Sequence, residues 1–400
     1  MFKKPVVELI LSLYGHPESG ALWDKHLKKA LVELGYVAVD NNPGVWFHKP
    51  TKAILIVYVD DLLLVACPKV DDKLWEELGN KIDFQDPQAP INRYLGTYHD
   101  VNTIGNTTTF KASMTAFLED AAYVYMQEVG VKHLPNVETP FLEEKFNDPD
   151  GAKGDQAGTA ASHLMKVLFA ARMCRPDLTV GITKLASNIA NWKPEHDKHL
   201  RRLMSYIAHH ANYELVSQLS TEDFKTAVLD FSPDADLAGD LSTSKSISGM
   251  WLELVSKDGS RCWPLAWSCK KQTASSSSTC ESEVVSMSSG LRKEAIPILD
   301  FLELALERPV QLICKEDNSQ AIIAAQKGYS PALRHLARHH RIALGFVNET
   351  FYPEQQTQTT PRIQYQVSAE HKGDFMTKIL NKEKFQHALK LAGLRAPNNS

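Results

Sequence analysis

The chain has 400 residues, 43% of them hydrophobic and 23% charged, which describes a globular protein of two or three domains. Its formal net charge of −4 excludes capture of nucleic acid by bulk charge, so any nucleic-acid site must be a local basic face. The longest apolar run, Ala53 to Ala66, is too short to cross a bilayer and is interrupted by Asp60-Asp61, so no membrane association is expected.

Six cysteines (Cys67, Cys174, Cys262, Cys269, Cys280, Cys314) form no CxxC pair and no Cys/His spacing suited to zinc. Scattered thiols of this kind point to a reduced, intracellular protein with buried thiols. Met1 runs into Lys3, Lys4 and Pro5 without an apolar core or cleavage site, so no signal peptide is expected.

In chain order, Leu22 to Tyr36 carries apolar residues at helical spacing and stops at Gly35. Ala53-Ile-Leu-Ile-Val-Tyr-Val59 reads as a buried strand that reaches Asp60-Asp61, and Leu62 to Val65 returns as a second strand. Two acids at the tip of a tight apolar hairpin are costly to place there without a purpose. Residues 144–160, containing Asn147-Asp-Pro-Asp-Gly-Ala-Lys-Gly-Asp155, read as a linker, and Ser162 to Tyr213 as largely helical. Three strands follow, Ala227 to Phe231, Gly249 to Val255 and Cys262 to Ser268, with the turn Lys257-Asp-Gly259 joining the second to the third. A long helix from Thr279 to Leu306, a strand at Val310 to Cys314, and helices at Ser319 to Gln326 and Pro331 to Asn348 come next. Tyr352 to Pro361 is a polar loop, Arg362 to Val367 a fifth strand, and Asp374 to Leu391 a final helix, with no internal repeat.

This order of elements is similar to that of the ribonuclease H fold. Its chemistry needs several carboxylates converging on two divalent ions roughly 4 Å apart. Magnesium prefers oxygen ligands, so Asp and Glu are the right residue types. Acids fall at the expected element ends: Asp234 ending the first strand, Glu283 in the first turns of the long helix, Asp317 after the fourth strand, and Asp374 starting the last helix.

Six blocks carry a resemblance to a known family. Asp234-Ala-Asp-Leu-Ala-Gly-Asp240, Ser244-Lys-Ser-Ile-Ser-Gly249, Trp267-Ser-Cys-Lys-Lys-Gln272, Ser276 to Glu283, Asp317-Asn-Ser-Gln-Ala321 and Gly373-Asp-Phe-Met-Thr-Lys378 resemble, in order, the blocks of copia-family ribonuclease H domains. The resemblance assigns the four catalytic, metal-binding acids to Asp234, Glu283, Asp317 and Asp374. Asp236 competes with Asp234, which is preferred because it directly follows the strand. Glu281 competes with Glu283, which is preferred because the apolar positions after it match the family's helix. A negative charge at Glu281 is equally explained by the helix start. The family's Lys-His-Ile-Asp block is replaced here by Arg338-His-His-Arg-Ile342, with a base where its acid stands. Arg334, Arg338 and Arg341, with His339 and His340, read either as a phosphate-facing surface or as a solvated helix face. His371 is close in sequence to Asp374, either to help product release or as an ordinary exposed loop histidine.

The N-terminal half resembles a copia-type reverse transcriptase palm in Leu13-Tyr-Gly15, Trp23, Tyr58-Val-Asp-Asp61 and Tyr94-Leu-Gly96. Arg175-Pro-Asp177 resembles the block joining that polymerase to its nuclease, so the resemblance runs from about residue 9 to about residue 391. The family's upstream catalytic Asp is missing, and His16-Pro-Glu-Ser-Gly20 replaces its Lys-Gln and Pro-Arg. Asp60 and Asp61 are therefore read as a polymerase remnant that retains at most weak metal binding.

The resemblance implies an α/β (α+β) chain: a partial reverse transcriptase palm at 1–105, a helical thumb or connection region at 106–222, and a ribonuclease H domain at 223–392 with a five-stranded mixed sheet and flanking helices. It implies two Mg2+ (or Mn2+) ions, an RNA–DNA hybrid as substrate, other Pol or Gag products as partners, and a place in cytoplasmic virus-like particles or the nucleus. A degenerate, catalytically silent fragment is the second reading. A glycosyltransferase using Asp234-Ala-Asp236 as a metal-binding DxD is the third.

Overall fold

The structure is a computed structural model that describes residues 13, 15–142, 152–240 and 242–397. Tyr14 of the Leu-Tyr-Gly block and the first part of the expected linker, residues 144–151, lie outside them. The chain divides into two units, residues 1–95 and 96–400.

In the first unit, helix α1 (Ser19–Glu33) buries Leu27, Ala30 and Leu31, the one-face spacing of an amphipathic helix. Gly35 ends it at φ +87°. An antiparallel meander follows in the order β1 (Tyr36–Ala38), β2 (Val45–His48), β3 (Ala53–Tyr58) and β4 (Asp61–Val65). Helix α2 (Asp71–Gly79) adds Leu78 to a core with Leu31, Trp46 and Leu55, and the short strand β5 (Arg93–Tyr94) comes last. Tyr58 pairs with Asp61 across the hairpin, with Val59-Asp60 as its tip. Asp60 and Asp61 are both exposed, so the burial cost expected from their apolar flanks is not incurred.

The second unit holds two sheets. Strands β6 (Thr97–Ile104), β7 (Thr107–Ser113) and β8 (Glu214–Ser220) pair antiparallel, and β14 (Leu394–Arg395) adds to β8. Region 106–222 is therefore not purely helical. Its helices are α3 (Thr115–Val129), α4 (Ala160–Met173), α5 (Thr179–Ala186) and α6 (Pro194–His210). Between α4 and α5, the buried Arg175 donates Nε and Nη2 to the two Asp177 carboxylate oxygens at 2.9 and 2.7 Å, and Nη1 to the His210 carbonyl at 2.8 Å. Arg-Pro-Asp is thus a structural clasp between helices. After β8 comes the short helix α7 (Thr221–Thr226).

The second sheet is the expected five-stranded mixed sheet, β11-β10-β9-β12-β13. Strands β9 (Val228–Asp240), β10 (Lys245–Val255) and β11 (Cys262–Lys271) are antiparallel, while β12 (Leu312–Glu316) runs parallel to β9 and β13 (Arg362–Tyr365) parallel to β12. On one face, Leu229, Phe231, Met250 and Leu252 form a core with α8 (Thr279–Gly290) and the π-helical turn Leu291–Ala295, which α9 (Ile296–Leu306) continues. On the other face, Trp251 joins Phe375, Met376 and residues of α3 to α6 in a single core. Helices α10 (Ser319–Lys327), α11 (Leu336–His339), α12 (Leu344–Phe351) and α13 (Lys382–Leu391) complete the unit.

Several boundaries differ from expectation, three of them with consequences for the candidate residues. Strand β9 continues nine residues past Phe231 to Asp240, so Asp234 lies within it and does not follow it. Pro331 to Asn348 is broken into a 3-10 turn (Pro331–Leu333), α11 and α12. The last helix begins at Lys382, and Asp374 sits ahead of it in a 3-10 segment, Lys372–Met376. Among the described residues, no helix is long and apolar enough to cross a membrane. All six thiols are free; Cys174, Cys269 and Cys314 are buried, but Cys67 is exposed.

Candidate metal centre

The pairing of β12 with β9 stops at Cys314 and Phe231. Beyond that point no pairing joins the two parallel strands. Asp234 lies on β9 past that point, and Glu316 and Asp317 lie at the end of β12. The end of pairing between parallel strands is where sheets of this kind place ligands.

Glycines let a third segment reach Asp234. A Cβ at Gly373 would lie 2.7 Å from the Asp234 Cβ and 2.9 Å from the Ser232 carbonyl oxygen. One at Gly249, which pairs with Asp234, would lie 2.5 Å from Thr377 Cγ2 and 2.8 Å from Met376 Cβ. Only with both side chains absent does the 3-10 segment lie flat on β9 and β10. That contact delivers Asp374, and the Thr377 hydroxyl donates to Asp234 Oδ2. Helix α8 supplies the fourth piece. Ser278 caps it, its hydroxyl accepting from the Glu281 N–H at 3.2 Å, and Glu283 follows in the first turns.

The oxygens gather into two groups that share Asp317. In one, ligand atoms of Asp234, Asp317, His371 and Asp374 all lie within 4.8 Å of one another; in the other, those of Glu283, Glu316 and Asp317 do. All four acids expected from the sequence are thus brought together. Glu316, not anticipated, joins them. It is 1% exposed, with Oε1 accepting from the Asn318 N–H at 3.0 Å and Oε2 without a partner. Glu283 Oε2 is likewise buried and unpartnered.

Crowding and burial shape the protonation. Burial, reinforced by Asp234, Glu316 and Asp317, pushes the Glu283 carboxyl up to about 10. Burial also pushes Glu316 up to about 8 and Asp234 to about 6, the latter pulled back by the Lys378 ammonium. Burial acts the same way on Asp374, but the nearby His371 imidazole and the hydrogen-bonded Lys378 ammonium outweigh it and hold that carboxyl below its ordinary range. His371 is buried, not an exposed loop residue. Its Nε2 lies 2.9 Å from the Lys315 carbonyl oxygen and its Nδ1 3.8 Å from Asp374 Oδ1. Asp317 Oδ2 accepts from the Ser368 hydroxyl at 2.6 Å.

Unpaired buried carboxylate oxygens crowded this closely fit a hard divalent cation, which takes oxygen donors and would offset their mutual repulsion. A cleft of about 500 Å3 opens over the group, lined in part by Glu283, Asp317, Asn318 and Lys378.

The two competing acids join neither oxygen group. Asp236 lines the same cleft but lies 3.8 Å from Lys184 Nζ, apart from the close ligand atoms of Asp234, Asp317 and Asp374. The buried Glu281 accepts from the Ser277 N–H and hydroxyl at 2.9 and 2.5 Å, and lies 2.9 and 3.0 Å from His335 and His340 Nε2. Burial raises its carboxyl, but these partners hold it down at about 2. Glu281 is an anchor that docks α11 on the start of α8. His340 is consequently buried, which corrects its expected place on a phosphate-facing surface. Arg334, Arg338, His339 and Arg341 remain exposed.

The sequence signal for Lys378 is its spacing four residues after Asp374, which the resemblance left without a role. Glu316 was hidden beside Asp317, although adjacent acids at a strand end were legible.

No family model matches the chain. Over 98% of its length it is 24% identical to the retrovirus-related Pol polyprotein from transposon TNT 1-94 of Nicotiana tabacum, and 23% identical to that from transposon RE1 of Arabidopsis thaliana. These alignments cover 28% and 25% of the two proteins, so the chain spans about a quarter of the length of the Pol polyproteins it matches. A putative transposon Ty5-1 protein of Saccharomyces cerevisiae is 24% identical over 50% of this chain and 64% of its own length. Among solved structures, the foamy viral protease-reverse transcriptase, in complex with an RNA/DNA hybrid, aligns with a TM-score of 0.43 and 16% identity over 89% of this chain and 39% of that one. Similarity to Ty1/copia-type Pol polyproteins therefore extends along nearly the whole sequence.

Proposed function

We propose that this chain is part of a copia-type Pol polyprotein and that its catalytic unit is a ribonuclease H, a metal-dependent endonuclease that cuts the RNA strand of an RNA–DNA hybrid and leaves a 3′-hydroxyl. The observation that carries the reading is the convergence of Asp234, Glu283, Asp317 and Asp374 from four separate segments, with Glu316, onto two oxygen groups that share Asp317.

Asp234, Asp317 and Asp374 would hold one Mg2+ or Mn2+, and Glu283, Glu316 and Asp317 the other. When bound, such a pair supplies an activated water and stabilises the leaving oxygen. The surrounding side chains position the ligands: Thr377 fixes the Asp234 rotamer, His371 steadies Asp374, and Ser368 holds Asp317. The exposed Arg334, Arg338 and Arg341 beside the Glu281 anchor supply phosphate contacts that set the register of a hybrid without reading its bases. Substrate choice then rests on hybrid shape and 2′-hydroxyl contacts. DNA synthesis is not part of the proposal. Other Pol or Gag products as partners, and work in cytoplasmic particles or the nucleus, are proposals that rest on the relatives.

The test is cleavage of a labelled RNA–DNA hybrid by the purified chain with Mg2+ or Mn2+, beside Asp317→Asn. Metal-dependent cutting of the RNA strand alone, lost in the variant, is the expected result. A folded chain that cuts with neither metal would make this a silent relic of such an enzyme.

A further inference from the structure

The two oxygen groups differ in one respect. Lys378 Nζ lies 2.5 Å from Asp374 Oδ1 and 3.3 Å from Asp234 Oδ1, bridging two acids of the first group. Among the described residues no lysine or arginine forms an ion pair with Glu283 or Glu316 of the second group. The Lys378 side chain is 36% exposed and lines the cleft over the site, so it has room to leave.

We infer that Lys378 is a tethered competitor for one of the two divalent ions. The inference rests on the metal-centre reading above. An ammonium seated on Asp374 Oδ1 and Asp234 Oδ1 uses the lone pairs that an ion held by those acids needs. A divalent ion held at the same oxygens would compete with the ammonium for their lone pairs. Coulomb repulsion between the two charges settles the contest by displacement. The Glu283–Glu316–Asp317 group has no ammonium to displace.

The displaced ammonium has a use. It stays tethered at the mouth of the cleft, where a substrate phosphate would lie, and as a point charge it pairs with phosphate without demanding one orientation. Filling of the second ion position and docking of the nucleic-acid backbone then favour each other. Each gives Lys378 a reason to leave the acids, and a favourable coupling of this kind is reciprocal. Lys378 is in this account a residue that sets the order of loading.

Mn2+ binding to the full chain without substrate, followed by electron paramagnetic resonance of the free ion, tests this directly. The native chain should bind one ion tightly and a second weakly. Lys378→Met should tighten the weaker step at least about tenfold. Lys378→Gln, which can keep a hydrogen bond to Asp374 without the charge, should do the same and decides the matter if the Met variant does not fold. Lys378→Arg, which keeps a cation, should leave the weak step weak. Identical isotherms for the native, Met and Gln proteins would overturn the competitor role while leaving the metal centre intact. No Mn2+ bound by any folded form would overturn the metal centre itself, and the competitor role with it.

Discussion

Glu283→Gln should make the metal-free protein more stable, by an amount that grows with pH. The Glu283 carboxyl is 3% exposed, and burial together with Asp234, Glu316 and Asp317 lifts it to about 10 from an ordinary 4.5. The folded chain therefore keeps a proton that the unfolded chain releases. Stability falls with pH wherever the folded state holds more protons, so the loss begins near pH 4.5 and continues toward pH 10. At about 1.4 kcal/mol per pH unit, the loss is below about 1 kcal/mol at pH 5 and about 3 kcal/mol at pH 7. Glutamine is close in shape to the protonated acid and has no proton to hold, so the comparison isolates this cost. Urea denaturation with chelator at pH 5, 6, 7 and 8 gives the difference directly, provided the two proteins share an m-value. Saturating Mg2+ should then reverse the order, because an ion that binds only the folded native chain stabilises it by mass action. A difference that is flat across this range, or a variant less stable than the native chain at pH 7 in chelator, would refute the account of a crowded, uncompensated carboxyl.

Asp177→Ala leaves the buried Arg175 guanidinium without its two-point partner, and chemical denaturation should show a loss of about 3–5 kcal/mol; a loss under about 1 kcal/mol would contradict the clasp. Glu281→Gln should cost about 1–3 kcal/mol at neutral pH without changing Mn2+ binding, since it unties His335 and His340 and not the acids of the candidate centre. Because that carboxyl is held at about 2, its contribution is present above pH 4.5 and fades as pH falls toward 2, which a denaturation series in acid would reveal. Changing Arg334, Arg338 and Arg341 together to Ala should weaken hybrid binding and lower the slope of log K against log salt by about 2–3, and an unchanged slope would remove these residues from the interface. Asp60→Ala with Asp61→Ala should shift stability by no more than about 0.5 kcal/mol, since both side chains are exposed.

The strand and helix order of the 223–392 region was legible because its buried strands are rich in aromatic and branched residues, as in Val228-Leu-Asp-Phe231, bounded by turn signals such as Lys257-Asp-Gly259. The true length of β9 was not legible. Ser232-Pro-Asp-Ala-Asp236 reads as a strand stop, and a proline inside a central strand argues against that assignment. It is tolerated at 233 because β12 has already stopped pairing at Phe231, so that side of β9 is an edge there. The acid next to it is displayed for the same reason. The late start of the last helix did carry a signal, since Asn381 caps it with Oδ1 accepting from the Lys384 N–H at 3.0 Å. Nothing local showed that residues 371–377 would press onto the sheet, because that depends on Gly249, more than a hundred residues away. Strands β6 and β7 escaped notice because stretches such as Thr107-Thr-Thr-Phe-Lys-Ala-Ser113 have no clean apolar alternation to read.

The core that unites Trp251, Phe375 and Met376 with helices α3 to α6 has a consequence for how this polypeptide can be divided. Phe375 and Met376 immediately follow Asp374, so the backbone that presents one acid is seated on side chains from the region 106–222. A polypeptide begun at β9 would carry every carboxylate of the centre, yet it would expose the underside of β10 and the seat of Asp374 to water. The helices before this sheet are thus its foundation, and a recombination that kept the acids but exchanged those helices would have to rebuild the bed on which the last acid rests.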